Sequence, residues 1–258
     1  MGTVVEIHAE GESKCSQIED FTQKLSIELS FQNRKSLLNT LLNKPVSTVA
    51  LNQDLEKMVD YGIKLFNLTD GYFDILFRSP EETRDKKISD LLTLNKNLLI
   101  KHRKNLIFDF SGMAKGYVIM KLFNKFFSHS SEGYINAGGD IIAWGKRITV
   151  SFRNFRGKME KGCIKLKGKW SIFSSGTYLR KEIYNPFSGK RIDTRRVSVV
   201  VGTDPVISDG LATALIVKPE LIEKLEKELP QWSFYVEGSK HKWSGGKWGE
   251  IYISPCKK

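Results

Sequence analysis

The spacing of apolar and polar positions predicts a chain in which helices and strands are mixed. Apolar residues recur at helical spacing in five segments, so helices are predicted over residues 16–29, from Asn52 to a turn at 69–71, 113 to about 127, about 207–216 and about 219–229. Alternating apolar and polar positions predict strands at 1–9, 133–141, 148–153, 162–166, 170–174, 197–202 and 232–236. Shorter extended segments are predicted at 72–76, 98–101 and 105–110, with a hairpin turn at 102–104.

The remaining segments are polar and predict loops. Residues 30–50 are interrupted by Pro45 and are expected to form a loop with a short helix, and the charged residues 79–90 are expected to form an exposed loop. Because hairpin-like strands are mixed with helices and no repeat or long linker occurs, the sequence predicts an α+β fold. We expect residues 1–258 to form a single compact domain, in which mixed, mainly antiparallel sheets pack with helices.

The composition is typical of a soluble globular protein, with 258 residues of which 40% are hydrophobic and 27% are charged. No apolar run approaches the roughly 20 residues that a membrane-spanning helix needs. The chain starts MGTVVEIHAE, which lacks the basic and apolar regions of an export signal, so the sequence as given predicts a cytoplasmic protein. A signal removed from a longer chain would instead predict a periplasmic or membrane-anchored protein.

The cysteine and charge patterns bear on several function classes. Cys15, Cys163 and Cys256 are far apart, which argues against structural zinc and against a disulfide framework. The net charge of +12 favours encounters with anionic ligands, and the lysines are spread along the chain except for a cluster at 158–169. No nucleic-acid-binding motif with interleaved aromatic residues occurs, so a basic module that binds nucleic acid or an acidic partner is a minor alternative.

Residues 107–117, with the sequence IFDFSGMAKGY, carry the first candidate site. An apolar run ends at Asp109, and Gly112 and Gly116 follow before apolar residues resume at helical spacing, which predicts a strand, a tight turn and a helix start. The free N–H groups and partial positive charge of a helix start make this turn a candidate phosphate site, and Lys115 adds a cation. The alternative is an ordinary strand-to-helix turn with a solvated lysine.

Asp209 and Thr213 carry the second candidate site. They lie four positions apart at a predicted helix start, so their side-chain oxygens project from one face. A carboxylate and a hydroxyl, supplemented by a backbone carbonyl, suit a hard cation such as Mg²⁺ that keeps its other coordination positions for phosphate oxygens. The alternative is that Asp209 only caps the helix.

Two glycine-containing motifs lie between these sites. NAGGD occupies residues 136–140 and SSG occupies 174–176. Gly138, Gly139 and Gly176 would let the backbone approach a ligand closely, although each glycine taken singly is more simply a turn glycine. The order and spacing of all these motifs along about 100 residues form a stronger signal than any one of them.

That order resembles the ApbE family, the FAD:protein FMN transferases formerly called thiamine-biosynthesis lipoproteins. The family pattern runs from an MGT start through T/S-x-G-x-F-D, D-x-x-G-x-A-K-G-Y, N-x-G-G-D, T/S-S-G and H-x-x-D/N-P-x-T/S-G to a D-A-L-A/S-T-A block. The matching segments of this chain are, in order, Met1–Thr3, Asp70–Asp74, Asp109–Tyr117, Asn136–Asp140, Ser174–Gly176, Asn185–Gly189 and Asp209–Ala214. The match covers nearly the whole chain and implies an ApbE-like fold related to the T-fold.

The resemblance also implies an activity, in which FMN is moved from FAD to a threonine or serine of an acceptor flavoprotein and AMP is released. FAD would lie between the motif segments, and its implied contacts are Met1, Tyr72, Phe73, Asp74, Asp109, Lys115, Gly138, Gly139, Ser175 and Gly176. The implied Mg²⁺ ligands are Asp209, which is also implied to be catalytic, Thr213 and a backbone carbonyl near Gly112. A metal and a lysine would supply the charge neutralisation and positioning that attack on a diphosphate needs.

Three segments depart from the family pattern. Glu182 replaces the histidine that precedes the D/N-P turn, and it is a candidate general base although a carboxylate is a weaker base than imidazole at neutral pH. The loop after Ser26 lacks a Tyr-x-P-x-S-E motif, and the segment after Asp74 lacks a P-x-W-G-F motif. The alternative function is therefore a divergent member that binds FAD, or hydrolyses it to FMN and AMP, without modifying a protein.

Overall fold

The computed structural model describes residues 3–9, 15–145, 148–166, 168–177, 182–246 and 254–255. The α-helices in these ranges are α1 (Cys15–Glu28), α2 (Gln53–Leu68), α3 (Ile88–Leu91), α4 (Ala114–Phe126), α5 (Pro205–Val217) and α6 (Ile222–Glu228). The strands are β1 (Val5–Ala9), β2 (Thr48–Ala50), β3 (Leu92–Asn95), β4 (Leu98–Lys101), β5 (Gly133–Ala137), β6 (Asp140–Trp144), β7 (Ile148–Arg153), β8 (Met159–Leu166), β9 (Trp170–Gly176), β10 (Arg196–Gly202), β11 (Ser233–Gly238), β12 (Lys242–Gly246) and β13 (Ser254–Pro255).

The strands form three sheets, and every strand pair within them is antiparallel. The largest sheet has seven strands in the order β1-β5-β6-β9-β10-β11-β12. A second sheet has the order β13-β8-β7, and a third has the order β2-β4-β3. The predicted α+β fold with mainly antiparallel sheets is confirmed.

Helix α5 lies at the centre of the fold. Its sequence, PVISDGLATALIV, is apolar or small on almost every side, and such a helix is stable only when neighbours cover it all round. It packs on β9 and β10 of the large sheet and against α4 and α2. Ten of its thirteen residues are buried, and those with accessible surface are Asp209, Thr213 and the C-terminal Val217. Before its last residue, the part of α5 that keeps accessible surface is therefore polar.

The opposite face of the large sheet is covered by the second sheet. Phe152 of β7 packs with Ile172 of β9 and with Val199 and Val201 of β10 in a small apolar cluster. The Phe152 ring also contacts Tyr235 of β11, with the two ring centroids 5.4 Å apart. Because both faces of the sheet carry apolar side chains, its central strands are buried between two layers.

Several local predictions are confirmed. The predicted N-cap of α2 is present, because Oδ1 of Asn52 accepts a hydrogen bond from the backbone N–H of Leu55 at 2.9 Å. Helices α1, α4 and α5 and most strands of the large sheet lie where the apolar spacing places them. Within residues 30–50 a short π-helix occurs at Leu38–Leu42. Among the helices of the described residues, none has the length and apolar character needed to cross a bilayer.

The extended segments predicted at 72–76 and 105–110 are not strands. Residues 72–76 form turns, in which the Thr69 hydroxyl accepts from the N–H of Phe73 (2.9 Å) and Asp74 accepts from the N–H of Leu76 (2.7 Å). In residues 105–110, the N–H of Phe108 donates to the side chain of Asn43 at 2.7 Å. Side chains satisfy these three N–H groups. One backbone hydrogen bond joins the two segments, from the N–H of Asp109 to the carbonyl of Ile75 at 2.8 Å, and they form no ladder.

The hairpin predicted at 102–104 lies instead at 96–97, where it joins β3 to β4. Lys96 adopts the left-handed region with φ of 50°, which a two-residue hairpin loop requires. The predicted exposed loop at 79–90 contains a 3₁₀ turn at Glu81–Thr83 and the short helix α3. Strands β2, β3, β12 and β13 were not predicted, because segments of two to five residues are too short to show a clear alternation.

Candidate functional site

Asp109 organises the turn that precedes α4. Its Oδ1 accepts hydrogen bonds from the N–H of Ser111 at 2.8 Å and from the Ser111 hydroxyl. Its Oδ2 accepts from Nε of Arg78 at 2.5 Å, and the Asp109 side chain is only 1% exposed. The predicted tight turn and helix start are therefore present. The carboxylate oxygens are both engaged within the protein, and a direct contact of Asp109 with FAD stays a prediction.

Asp209 does not cap α5. The N-cap is Asp204, whose Oδ1 accepts from the N–H groups of Val206 (2.9 Å) and Ile207 (3.1 Å). Asp209 lies one turn further along the helix and faces the start of α4, where its Oδ2 accepts from the N–H of Gly116 at 2.8 Å. The capping alternative for Asp209 is wrong, because α5 begins at Pro205, four residues before Asp209.

Of the three predicted metal ligands, the Thr213 hydroxyl and the Gly112 carbonyl are in contact, and Asp209 lies one helical turn before Thr213. The hydroxyl oxygen of Thr213 is 3.5 Å from the backbone carbonyl oxygen of Gly112 and 3.4 Å from that of Asp209. All three residues keep part of their surface accessible, although their neighbours Leu211, Ala212 and Met113 are buried. A carboxylate, a hydroxyl and a carbonyl are hard oxygen donors of the kind that Mg²⁺ prefers. No cluster of three or more His, Cys, Asp or Glu residues suited to a metal occurs among the described residues, so this mixed oxygen set is the candidate.

The electrostatics of Asp209 also fit a cation. Burial, and to a lesser extent the nearby charge of Asp140, raise the pKa of Asp209 to about 8. The positive charge of Lys115 acts in the opposite direction. The Asp209 carboxylate is surrounded by protein although part of the residue remains accessible. A bound cation would stabilise the ionised carboxylate that this environment disfavours.

Asp140 joins three of the motif segments. Its carboxylate is 2% exposed, pairs with Nζ of Lys115 on α4, and accepts from the backbone N–H of Ser174 on β9 at 2.8 Å. Burial raises the pKa of Asp140, and the partial opposing effect comes from the Lys115 ammonium group. The NAGGD motif contains Asp140, but no role for this residue was predicted. The signal in the sequence was the position of Asp140 directly after two glycines, because a Gly-Gly turn reverses the chain and pairs Asp140 with Ala137 in the sheet.

Gly138 and Gly139 form the two-residue turn between β5 and β6. Their φ angles of 66° and 100° lie in the left-handed region that favours glycine. The N–H of Gly139 donates to Oδ1 of Asn136 at 2.8 Å. A Cβ on Gly138 would meet the Thr3 hydroxyl at 2.3 Å, whereas a Cβ on Gly139 would have no atom within 4 Å. Glycine at both positions therefore allows the tight reversal between β5 and β6, and there is open space beside Gly139.

Ser175 and Gly176 lie at the end of β9 and pair with Ser198 and Val197 of β10. Both are partly exposed. They follow Ser174, whose N–H binds Asp140, so β9 carries the SSG motif to the same part of the molecule as the Lys115–Asp140 pair. A contact between these two residues and FAD stays a prediction.

The predicted flavin side begins with Tyr72 and Phe73. Phe73 is 5% exposed and packs closely on the 109–112 turn, because a Cβ on Gly112 would lie 2.8 Å from its ring. The ring of Tyr72 contacts Phe187 edge to face, with centroids 5.0 Å apart. Phe187 belongs to the turn that Asn185 caps by accepting from the N–H of Phe187 at 2.9 Å. The Asn185–Gly189 motif is thereby packed against the Tyr72–Asp74 segment.

Asp74 gives a testable dependence of stability on pH. Burial raises the pKa of Asp74 from its ordinary value of 3.8 to about 6. The folded protein therefore holds this proton more tightly than the unfolded chain does, and Asp74 lowers stability progressively as pH rises from about 4 to about 6.

Asp74→Asn cannot ionise, and its side-chain oxygen can still accept from the N–H of Leu76. We expect the variant to unfold at the same temperature as the parent protein near pH 4, and to be more stable by about 1–3 kcal/mol above pH 6. Thermal unfolding at several pH values measures the difference. A stability gain that does not change with pH would contradict the raised pKa.

The last two predicted site residues are Glu182 and Met1. Glu182 is exposed, and no hydrogen bond or ion pair between described residues links it to Asp140, Lys115 or Asp209. Its assignment as general base stays a prediction. Met1 lies outside the described residues, and the prediction that it contacts FAD is untested.

Comparisons with known proteins point to one family. The profile of the ApbE family matches residues 1–232. The solved flavin transferase ApbE from Vibrio cholerae is 19% identical, with a TM-score of 0.79 over 98% of this chain and 96% of that chain. The apo flavinyl transferase ApbE from Pseudomonas stutzeri is 17% identical, with a TM-score of 0.78 and 98% of each chain covered. The ApbE protein from Thermotoga maritima is 17% identical, with a TM-score of 0.82 over 98% and 97%. At such identities the structures show a shared fold, and no curated protein matches the sequence.

Proposed function

Because this chain belongs to the ApbE family, we propose that it is a Mg²⁺-dependent FAD:protein FMN transferase in which residues 1–258 form one domain. It would move FMN from FAD to a threonine of an acceptor flavoprotein and release AMP. The observation that carries the proposal is the contact of the Thr213 hydroxyl with the Gly112 carbonyl at 3.5 Å, with Asp209 one turn earlier on the same face of α5. The similar folds of the flavin transferases from Vibrio cholerae and Pseudomonas stutzeri support the same function.

The proposed residues have distinct tasks. Gly112, Asp209 and Thr213 would hold Mg²⁺, which when bound would neutralise negative charge on the FAD diphosphate and on the leaving AMP. Lys115 would bind a diphosphate oxygen, since its side chain is 26% exposed and is held in place by Asp140. The open space beside Gly139 would let the β5–β6 turn approach the nucleotide.

In the transfer step, the oxygen of the acceptor hydroxyl forms a bond to the FMN phosphorus. The bond between that phosphorus and the bridging oxygen of the diphosphate breaks, and AMP leaves with the bridging oxygen. The hydroxyl proton passes to a base, for which Glu182 is the candidate. The principal task of the protein is to hold these groups in line, because phosphoryl transfer depends on positioning and charge more than on covalent catalysis.

Glu182→Gln tests the general base. If Glu182 takes the hydroxyl proton, we expect kcat to fall about 100-fold while the affinity for FAD stays unchanged. The matched control is Glu223→Gln, which alters an exposed glutamate on α6. Unchanged kcat in Glu182→Gln would show that another group accepts the proton or that no side chain is needed.

The exposed position of Glu182 also favours a second candidate function, in which the protein binds or hydrolyses FAD without modifying an acceptor. One incubation separates the candidates, with FAD, Mg²⁺ and a flavoprotein that carries an acceptor threonine. Transfer gives an acceptor with covalent flavin and equimolar AMP, hydrolysis gives free FMN and AMP, and binding alone leaves FAD intact. Covalent flavin that requires Mg²⁺ is the result expected from the proposed function.

A further inference from the structure

Arg78 is held in a fixed position next to the candidate site. Its Nε donates to Oδ2 of Asp109 at 2.5 Å, and Asp109 in turn holds the turn that leads to Gly112. The Asp109 side chain is 1% exposed, whereas the Arg78 side chain is 37% exposed. The guanidinium group is therefore anchored at one edge by a buried carboxylate while part of the Arg78 side chain remains accessible.

Aromatic rings flank the Arg78 guanidinium group. Its central carbon lies 4.6 Å from the ring centroid of Phe31 and 4.8 Å from that of Phe77. Phe77 stacks on Tyr184, with centroids 6.0 Å apart and ring planes 25° apart. Two neighbouring rings favour a guanidinium over a flexible ammonium group, because the planar group can stack while it donates in its own plane.

Arg78 has N–H donors that its contact with Asp109 does not use. A guanidinium group carries five N–H donors and no acceptor. Among the described residues, Asp109 is the partner of Arg78 in both its hydrogen bond and its ion pair, and these use the Nε edge. The terminal nitrogens can therefore donate to a ligand. Such a ligand must present acceptors, and the flanking rings favour one that is planar.

We propose that Arg78 is a ligand-contacting residue that recognises the flavin ring of FAD, with Asp109 as its positioning residue. This inference rests on the proposed function. An oxidised flavin presents two neighbouring acceptors on each side of its pyrimidine ring, N1 with the C2 carbonyl and N5 with the C4 carbonyl, whereas the amino-bearing edges of adenine present a donor beside a ring nitrogen. A group with donors alone matches the flavin edge better than the adenine edge. Lys115 and the metal ligands remain for the diphosphate.

Binding measurements with three nucleotides test the assignment. FAD carries both rings and the diphosphate, riboflavin carries the flavin ring without phosphate, and ADP carries adenine and the diphosphate without flavin. For Arg78→Gln in the presence of Mg²⁺, we expect the affinities for FAD and riboflavin to fall at least about tenfold and that for ADP to change less than about twofold. Equal losses for FAD and ADP, with riboflavin unaffected, would instead identify a phosphate contact and overturn the inference.

Three further variants separate flavin recognition from a general loss of charge or of folding. Arg103→Gln removes an exposed arginine of equal charge and should leave all three affinities unchanged. Arg78→Lys keeps the charge but loses the planar fork, so it should behave like Arg78→Gln. The double variant Arg78→Gln/Asp109→Asn leaves no unpaired buried carboxylate, and it should show the same selective loss if the single variant folds poorly.

The outcomes distinguish this inference from the function on which it rests. Normal binding of FAD and riboflavin by folded Arg78→Gln would overturn the assignment of Arg78 and leave the proposed transferase intact. Failure of the unaltered protein to bind FAD with Mg²⁺ would overturn both. A selective loss of flavin binding in Arg78→Gln, with normal ADP binding, would support the assignment of Arg78, and covalent flavin transfer to an acceptor tests the proposed function separately.

Discussion

Replacing Asp209 by asparagine should lower the rate of Mg²⁺-dependent flavin transfer about 1,000-fold, since a metal contributes several kcal/mol to the stabilisation of charge in such a transition state. Asparagine keeps an oxygen that can accept from the N–H of Gly116, so the contact between α4 and α5 is retained. It removes the negative charge that would hold the cation against Thr213 and the Gly112 carbonyl. The rate measured over a Mg²⁺ titration reports the effect.

Two controls make the Asp209 result specific. Asp90→Asn changes an exposed carboxylate on α3 and should leave the rate and its Mg²⁺ dependence unchanged. The thermal unfolding temperature of Asp209→Asn without metal should match that of the parent protein, because burial already disfavours the charged form that the substitution removes. A variant that turns over normally at the same Mg²⁺ concentration would remove Asp209 from the metal site.

Gly116→Ala should destabilise the fold by about 3 kcal/mol or more, because overpacking costs most when the atoms it meets cannot move aside. A Cβ on Gly116 would lie 2.3 Å from the carbonyl oxygen of Pro205 and 2.8 Å from its carbonyl carbon. These are backbone atoms at the start of α5, so no rotamer change relieves the overlap and the two helices must separate. Urea denaturation measures the change in the free energy of unfolding.

Gly238→Ala is the matched control for Gly116→Ala. The nearest atoms to a Cβ on Gly238 are 3.5 to 3.8 Å away, which is ordinary van der Waals contact, so its stability should change by less than about 1 kcal/mol. Separation of α4 from α5 would also lengthen the hydrogen bond between Gly116 and Asp209, so transfer by folded Gly116→Ala should be slower too. Equal stability of the two alanine variants would contradict the close helix contact.

Local patterns were sufficient wherever a segment's structure depends on its own residues. The helical spacing of apolar residues located α2, and the side-chain chemistry of Asn52 identified its cap. The glycine pair at 138–139 indicated a turn because left-handed backbone favours glycine. The same patterns misassigned 72–76, which is predicted as a short extended segment, whereas Thr69 and Asp74 accept from its backbone N–H groups in turns.

Local patterns could not distinguish between equivalent side chains. Asp204 and Asp209 both precede apolar residues, and the helix start at Pro205 makes the first of them the cap. Arg78 follows a segment that lacks the family's motif, so its motif context carried no signal. Its proposed role rests on contacts with Asp109 and Phe31, which are distant in sequence.

The fold class, most helices and strands of the large sheet, and the family itself could be read from the order of residues along the chain. These properties follow from short-range periodicity and from residue types that particular turns require. Folding in three dimensions was needed to show that the Thr213 hydroxyl contacts the Gly112 carbonyl, and that Asp140 links Lys115 to β9. Such contacts depend on how helices and strands pack across long stretches of chain, which no local pattern specifies.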